Sequence, residues 1–365
     1  MKGNTIMTIQ ESILELGALT SDPSVTISFN TNRTHPENEQ DRVVLKNLIS
    51  EAQERILDKY DKSESEDLLK KLTTVSEEIN HEFNLESMHI FLSSDTQKVI
   101  KTTWPVLKNS TCLSDKFALR SLIEAESRTE EYLILLLSQG GVTLYEALND
   151  SILSEVKNSD FPFPENSHFP ANAEQASDSE KQDNLVREYL NKVDKALLDV
   201  SRKSELKCVV ICTEDNYSKL MQISDDAEIY LGHAPVDYNK CQPHEIVKQS
   251  WEIVQGIQAK ERVDLLKDFE SATPGEKLAT DLEEIYQAAI DGRGDVLLVN
   301  QEFNQSVKMT SERTFKLIED PKAEGAVGDI VNAIAWEVVK NKGSVIFGTK
   351  EELENYGNAV LKTRY

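Results

Sequence analysis

Four side chains able to bind a metal ion or to transfer protons lie close together in the sequence: His233, Asp237, His244 and Glu245. Imidazole and carboxylate groups at this density suit metal binding or acid–base catalysis. The same stretch also fits the start of a helix, with Pro243 in the first turn and Glu245 near the positive end of the helix dipole. Because the spacing does not fix their geometry, the helix start is the preferred interpretation and the site is the alternative.

Two cysteines, Cys208 and Cys212, flank a Val-Val-Ile segment that predicts a buried strand. An offset of four residues in a strand places both thiols on one face. With no histidine cluster beside them, they are interpreted as core side chains and not as a metal pair. The sequence contains no HExxH, CxxC, GxGxxG or GxxxxGK[S/T] motif, and no metal, nucleotide or other cofactor is expected.

A small basic cluster follows the first predicted strand of an otherwise acidic chain and comprises Arg33, His35, Arg42 and Lys46. Phosphates require local positive charge, so this turn would be the contact if the first domain meets RNA. A solvated helix start is the alternative.

Residues 158–183 carry prolines and small polar residues without periodicity, which predicts a long exposed loop. Four of its side chains could enter a groove of a partner or stack on bases: Phe161, Phe163, His168 and Phe169. The alternative is that the phenylalanines pin the loop to its own domain.

Composition limits the class of protein. A chain of 365 residues predicts two or three domains, and a formal charge of -24 argues against a general nucleic-acid binder. Four cysteines give no disulfide framework. Neither a signal peptide nor a membrane span is expected, because the first residues form no apolar core of signal-peptide length and nowhere do eighteen apolar residues run together. A cytoplasmic protein that binds neither membrane nor DNA is expected.

Apolar periodicity predicts alternating strands and helices and therefore α/β layers. The first ordered unit is expected to begin at Pro23. Predicted strands cover residues 25–29, 89–92, 98–103, 132–137, 142–145, 207–212, 227–231, 295–300 and 344–347. Predicted helices cover residues 45–56, 64–83, 115–124, 186–200, 217–223, 247–269, 276–289 and 327–338.

Three stretches resemble, in chain order, the bacterial archaeo-eukaryotic release factor group, closest to its family 3. Residues 130–148 (EEYLILLLSQGGVTLYEAL) are similar to the first hairpin of the middle domain in release factors and Pelota, and residues 275–303 are similar to their third domain. Residues 24–57 are similar to the opening of the family, with the matching residues Thr31, Arg33, Asp41, Arg42, Leu45, Lys46, Asn47 and Leu48.

The resemblance implies an α/β (α+β) multidomain fold. It would have an N-terminal α/β domain at residues 1–127, an RNase H-like middle domain at 128–270 with the long loop 158–183, and a C-terminal α/β/α domain at 271–365. The resemblance also implies the ribosome or ribosomal RNA as partner. Since the chain lacks a phosphate-binding loop motif, a translational GTPase would be a separate partner.

Release factors carry Gly-Gly-Gln in the middle-domain loop to position water at the peptidyl-tRNA ester. Residues 158–183 contain Gln175 and Gln182 but no glycine, so the backbone freedom beside a catalytic glutamine is missing. The resemblance therefore implies a catalytically inert, ribosome-associated factor of rescue, hibernation or quality control. RNase H-type nuclease activity is not expected either, because residues 133–138 offer no metal-binding carboxylate.

Two alternatives to this function remain open. One is a hydrolase or metal-dependent enzyme with its site at a domain cleft near residues 233–245. The other is an acidic module that binds a basic protein.

Overall fold

A computed structural model describes residues 8–138, 141–164, 179–235, 243–271, 277–320, 323 and 325–365. The chain is a mixed α/β, multidomain protein, as predicted. It divides into two compact units: unit 1 is Met1–Thr129 together with Asp268–Tyr365, and unit 2 is Glu130–Lys267. None of the described helices is long and apolar enough to span a bilayer.

The N-terminal part of unit 1 is an antiparallel sheet covered by helices. Its elements are α1 (Ile9–Gly17), β1 (Ser24–Asn30), α2 (Glu39–Lys59), α3 (Lys62–Glu78), β2 (Ser87–Leu92), β3 (Gln97–Thr102), β4 (Ser110–Ser114) and α4 (Arg120–Ser127). The strand order is β3-β2-β1-β4. Val25, Ile27 and Phe29 share one face of β1 and join the apolar stripes of α2 and α3 in a single core.

Unit 2 is a five-stranded mixed sheet with long helices. Its elements are β5 (Glu131–Ser138), β6 (Gly141–Leu148), β7 (Ser151–Glu155), α5 (Ser179–Ser204), β8 (Cys208–Ile211), α6 (Glu214–Ile223), β9 (Tyr230–Ala234) and α7 (Pro243–Ser271). The strand order is β7-β6-β5-β8-β9. The strands β5, β6 and β7 form an antiparallel meander, whereas β8 runs parallel to β5 and β9 parallel to β8.

The central strand β5 is buried on both faces, as its apolar run predicts. Leu133, Leu135 and Leu137 lie in one core cluster, and Tyr132 and Ile134 lie in the other. Alternate side chains of one strand therefore hold the helices on both sides of the sheet.

The C-terminal part of unit 1 has two further sheets. Its elements are β10 (Leu278–Ala279), α8 (Leu282–Ile290), β11 (Gly294–Asn300), β12 (Val307–Met309), β13 (Phe315–Leu317), β14 (Ala326–Val327), α9 (Ile330–Lys340), β15 (Ser344–Gly348) and β16 (Ala359–Thr363). One sheet has the order β10-β16-β11-β15 and the other β13-β12-β14. Residues of α1 and α4, among them Ile13 and Leu122, share a core with Ile334 and Val338 of α9. The two chain segments of unit 1 thus bury apolar surface together.

Order begins before Pro23, contrary to the expectation. The helix α1 starts after Thr8, whose hydroxyl accepts from the Glu11 amide at 3.1 Å while the Glu11 carboxylate accepts from the Thr8 amide at 2.8 Å. This reciprocal capping box satisfies two backbone donors that the first turn would otherwise leave unpaired.

Several other predicted boundaries are wrong. The helix expected from residue 276 begins at Leu282, because the Asp281 carboxylate caps it through the amides of Glu283 and Glu284 at 2.9 and 3.1 Å. Leu278 lies in β10 instead. The helix expected at 115–124 is α4, and the strand expected at 227–231 is a 3₁₀ turn followed by β9. The acidic helix expected at 64–83 ends at Glu78, and within the expected loop 158–183 the helix α5 begins at Ser179.

Replacing Gly17 by alanine is expected to lower the free energy of unfolding by about 1–3 kcal/mol, the usual effect of overpacking a core. A Cβ at this position would lie 2.3 Å from Cζ3 of Trp336, so either the rigid indole ring or the helix would have to shift. Urea unfolding measures the loss. The matched control is Gly256→Ala in α7, where a Cβ meets nothing within 4 Å and the helix should gain stability. Equal stability of the two variants would contradict the packing.

Candidate functional site

The turn between β1 and α2 is organised by Asp41, which is buried in the first turn of α2. Its carboxylate accepts hydrogen bonds from the backbone and side-chain amides of Asn32 at 2.9 and 2.8 Å, and from the Asn84 side chain at 2.6 Å. The Thr31 hydroxyl donates to the Leu85 carbonyl at 2.8 Å. These bonds fix the turn that carries the predicted basic cluster.

The structure separates the four predicted basic residues into two pairs. Arg33 Nε lies 2.8 Å from Glu86 Oε1, and His35 Nδ1 lies 3.8 Å from Glu39 Oε1. Arg42 and Lys46 are exposed one helical turn apart on α2 and make no ion pair with a described residue. A carboxylate therefore lies beside each residue of the first pair, and the second pair faces solvent.

Two residues near this turn were missed by the sequence analysis. Lys101 Nζ donates to the carbonyls of Asn80 at 2.7 Å and Phe83 at 3.0 Å, and the Phe83 side chain is 75% exposed. Burial lowers the pKa of His81, and the positive charges of Arg42 and Lys101 lower it further. The one signal for Phe83 in the sequence was an aromatic residue within a polar stretch. Lys101, which donates to the Phe83 carbonyl, lies on β3.

Phe161 and Phe163 pack into unit 2. Phe161 is 1% exposed and lies 5.2 Å from the ring of Phe163, which in turn lies 5.9 Å from the ring of Tyr189. The backbones of Phe163 and Val142 exchange hydrogen bonds of 2.9 and 3.2 Å. Both phenylalanines thus pin the segment to its own unit, which corrects the expectation that they reach a partner. His168 and Phe169 lie outside the described residues.

His233 contacts two residues that the sequence did not group with it, Glu214 and Tyr217. It lies on β9, with Nε2 2.8 Å from Glu214 Oε2 and its ring stacked on that of Tyr217 at 4.2 Å. His244 and Glu245 are exposed at the start of α7, as the helix-start interpretation has it, and Asp237 is outside the described residues. Across the described ranges, no three His, Cys, Asp or Glu side chains are grouped so as to hold a metal ion.

Both cysteines of the β8 region are buried in one cluster of unit 2, which confirms their interpretation as core side chains. Burial raises the pKa of the Cys212 thiol to about 12 and also raises the pKa of the Cys208 thiol. Both groups stay protonated at neutral pH and are poor nucleophiles or metal ligands.

Comparison with known proteins identifies the class. Residues 131–293, which comprise most of unit 2 and the first helix of the C-terminal part, match a family of release-factor relatives. This part of the chain is release factor-like. The matching family is bacterial archaeo-eukaryotic release factor family 3, so the resemblance predicted from the sequence is confirmed. No curated protein matches the chain.

Three archaeal proteins are among the solved structures to which the chain is similar. Archaeoglobus fulgidus Pelota is 13% identical with a TM-score of 0.34, and the alignment covers 98% of this chain and 92% of that one. A ribosome-bound archaeal Pelota, described with ABCE1, is 12% identical with a TM-score of 0.42 over 98% of this chain and 94% of that one. The archaeal translation termination factor aRF1 is 10% identical with a TM-score of 0.26 over 98% and 97%.

Proposed function

We propose that this protein is a translation factor that docks on the ribosome and does not cleave peptidyl-tRNA. The observation that carries the proposal is the match of residues 131–293 to bacterial archaeo-eukaryotic release factor family 3. Rescue, hibernation or quality control of ribosomes is the setting we propose, and it places the protein in the cytoplasm.

The sequence supports the proposed lack of hydrolysis. Gly-Gly-Gln occurs nowhere in the chain, and residues 158–183 contain no glycine. Residues with a Cβ rarely adopt the positive φ that glycine supplies beside a catalytic group. Without that backbone, Gln175 or Gln182 would have to hold a water molecule by a different geometry.

The domain arrangement forms part of the proposal. The meander β5-β6-β7, extended beyond β5 by β8 and β9, supports an RNase H-like middle domain at residues 128–270. We propose that residues 1–127 and 271–365 are the other two domains and that they share the core of unit 1. A translational GTPase is the proposed second partner.

Ribosome docking is tested on sucrose gradients of stressed and unstressed cells, where the protein is expected with 70S or 50S particles. Arg42→Gln with Lys46→Gln should reduce its ribosome-bound fraction severalfold, because these exposed cations are the proposed RNA contact. Lys70→Gln with Lys203→Gln changes the net charge equally, at exposed positions on other helices, and should have no effect. Absence of the wild-type protein from all ribosomal fractions would refute the docking.

Inertness is tested separately with ribosomes that carry a labelled peptidyl-tRNA. Adding the purified protein is expected to release no more peptide than spontaneous hydrolysis does. Release at the rate of a Gly-Gly-Gln factor would overturn the inertness and leave the docking intact.

A further inference from the structure

The outward face of the sheet β13-β12-β14 places two lysines directly opposite each other. Lys308 of β12 pairs in register with Lys316 of β13. The pairing continues beyond the strands, because the Thr310 amide donates to the Thr314 carbonyl at 2.9 Å and the Ile318 amide to the Ser306 carbonyl at 3.0 Å. Strand alternation then puts one set of residues on one face, here named the lysine face: Ser306, Lys308, Thr310, Thr314, Lys316, Ile318 and Ala326.

The lysine pair has no ion-pair partner in the part of the chain that the structure describes. Directly opposite residues of antiparallel strands have Cβ atoms about 5 Å apart, and like charges in such a pair repel each other. Both side chains are exposed, and neither makes an ion pair with any residue that the structure describes. In a chain with 64 acidic and 40 basic residues, most cations would have a carboxylate close by. A bound anion would remove the repulsion.

The surroundings of the pair are open and rich in hydroxyl groups. The Thr314 hydroxyl lies 2.7 Å from both the Thr310 and Ser311 hydroxyls. On the neighbouring strand Ala326 is opposite Lys308, and a Cβ added to Gly325 would meet only Lys308 Cε, at 3.9 Å. Among the residues with described positions, these small side chains leave the lysines uncovered.

A cavity lies at the far end of the lysine face. Its volume is about 380 Å³, and it is lined by Asn304, Gln305, Ser306, Ile318 and Glu319. The Gln305 side-chain amide already donates to the Ser306 carbonyl at 2.8 Å, and the Ser306 hydroxyl donates to the Gly328 carbonyl at 2.9 Å. The exposed Asn304 side chain can donate and accept hydrogen bonds, as the edge of a nucleobase requires.

We propose that the lysine face binds the phosphate backbone of RNA; the proposal rests on the ribosomal function above and names a second RNA contact for it. Ammonium and hydroxyl groups are typical donors to phosphate oxygens. Two cations about 5 Å apart can reach one phosphodiester or two neighbouring ones. The overall charge of -24 repels a polyanion elsewhere, which confines the contact to such a local cationic face.

The test uses the full chain and a fluorescently labelled single-stranded RNA of about 12 nucleotides, with binding followed by anisotropy against salt. Lys308→Gln with Lys316→Gln is expected to weaken binding about tenfold and to lower the salt slope by about 1.4, or roughly 0.7 for each lost phosphate contact. Lys70→Gln with Lys203→Gln is the control of equal charge change. The thermal unfolding midpoint of the test variant should stay equal or rise, because a like-charge pair has been removed.

Three outcomes would overturn RNA binding by the lysine face. The first is that the Lys308→Gln, Lys316→Gln variant binds RNA as tightly as the control variant does. The second is that polyglutamate competes as strongly as unlabelled RNA of equal charge, and the third is that inorganic phosphate alone displaces the RNA. The second outcome would indicate an acidic protein partner and the third a free anion. The two proposals fail separately. If the protein binds RNA through the two lysines but never sediments with ribosomes, only the ribosomal function is refuted. If the protein binds ribosomes equally well without the two lysines, only RNA binding by the lysine face is refuted.

Discussion

Replacing Arg120 by methionine is expected to lower the free energy of unfolding of unit 1 by about 3–5 kcal/mol, the effect of breaking a buried ion pair from one side. Arg120 Nη1 lies 2.8 Å from Asp329 Oδ2, and the two side chains are only 14% and 18% exposed. The guanidinium also donates to the carbonyls of Phe303 at 2.6 Å and Gln301 at 2.9 Å. Methionine would leave the Asp329 carboxylate without its cation and both carbonyls without this donor.

The measurement is urea unfolding followed by tryptophan fluorescence. Trp104 and Trp336 lie in unit 1, so a Trp251→Phe background restricts the signal to that unit. The matched control is Arg313→Met, which removes an ion pair to Asp291 of 2.8 Å whose arginine is 49% exposed. Exposed pairs contribute about 0–1 kcal/mol. If Arg120→Met costs no more than Arg313→Met, the buried cluster does not hold the two segments of unit 1 together.

Acidification is expected to remove about 3 kcal/mol of stability from unit 1 through His89 alone. The ring is fully buried on β2, with Nδ1 3.0 Å from the Ser28 hydroxyl and Nε2 3.1 Å from the Ser87 hydroxyl. Burial lowers its pKa to about 4, whereas an unfolded histidine titrates near about 6.5. Between these values the unfolded chain binds the proton and the folded chain does not. The stability is therefore present above pH 6.5 and is lost as the pH falls towards 4.

His89→Gln should flatten this part of the pH dependence, because the glutamine amide does not titrate. His35→Gln, at a side chain that is 72% exposed, is the control and should keep the wild-type slope. Other titrating groups change the stability in both directions as the pH falls, because burial lowers the pKa of His81 but raises that of Glu124. The difference between variant and wild type isolates His89. Equal slopes for all three proteins between pH 4 and 7 would contradict its burial as a neutral ring.

The residues proposed to contact RNA show which features sequence spacing can predict and which it cannot. Arg42 and Lys46 are four residues apart, and helical periodicity alone predicts that they share a solvent face. Arg33 belongs to the same cluster in the sequence, yet Glu86 lies against it because the turn after β1 meets the chain just before β2. Phe83 and Lys101 came together through the β2–β3 pairing, which spacing does not encode.

The short strands of the lysine face could not be predicted from the sequence, for a different reason. β12 and β13 have three residues each and β14 has two, too few for an alternating pattern to stand out. The like-charge pair of Lys308 and Lys316 exists only through their register. No local signal distinguishes these lysines from the other exposed ones.

Local order, by contrast, was determined by the sequence itself. The apolar run in β5, the stripe of α5 and the stop after α8 at Gly292, whose φ is 69°, follow from periodicity and backbone preference within a few residues of chain. Tertiary structure alone decided which carboxylate each basic side chain contacts: Glu214 at His233, Glu86 at Arg33, and Asp329 at Arg120. Coulomb and hydrogen-bond energies depend on distance in space, and folding brings together residues that are far apart along the chain.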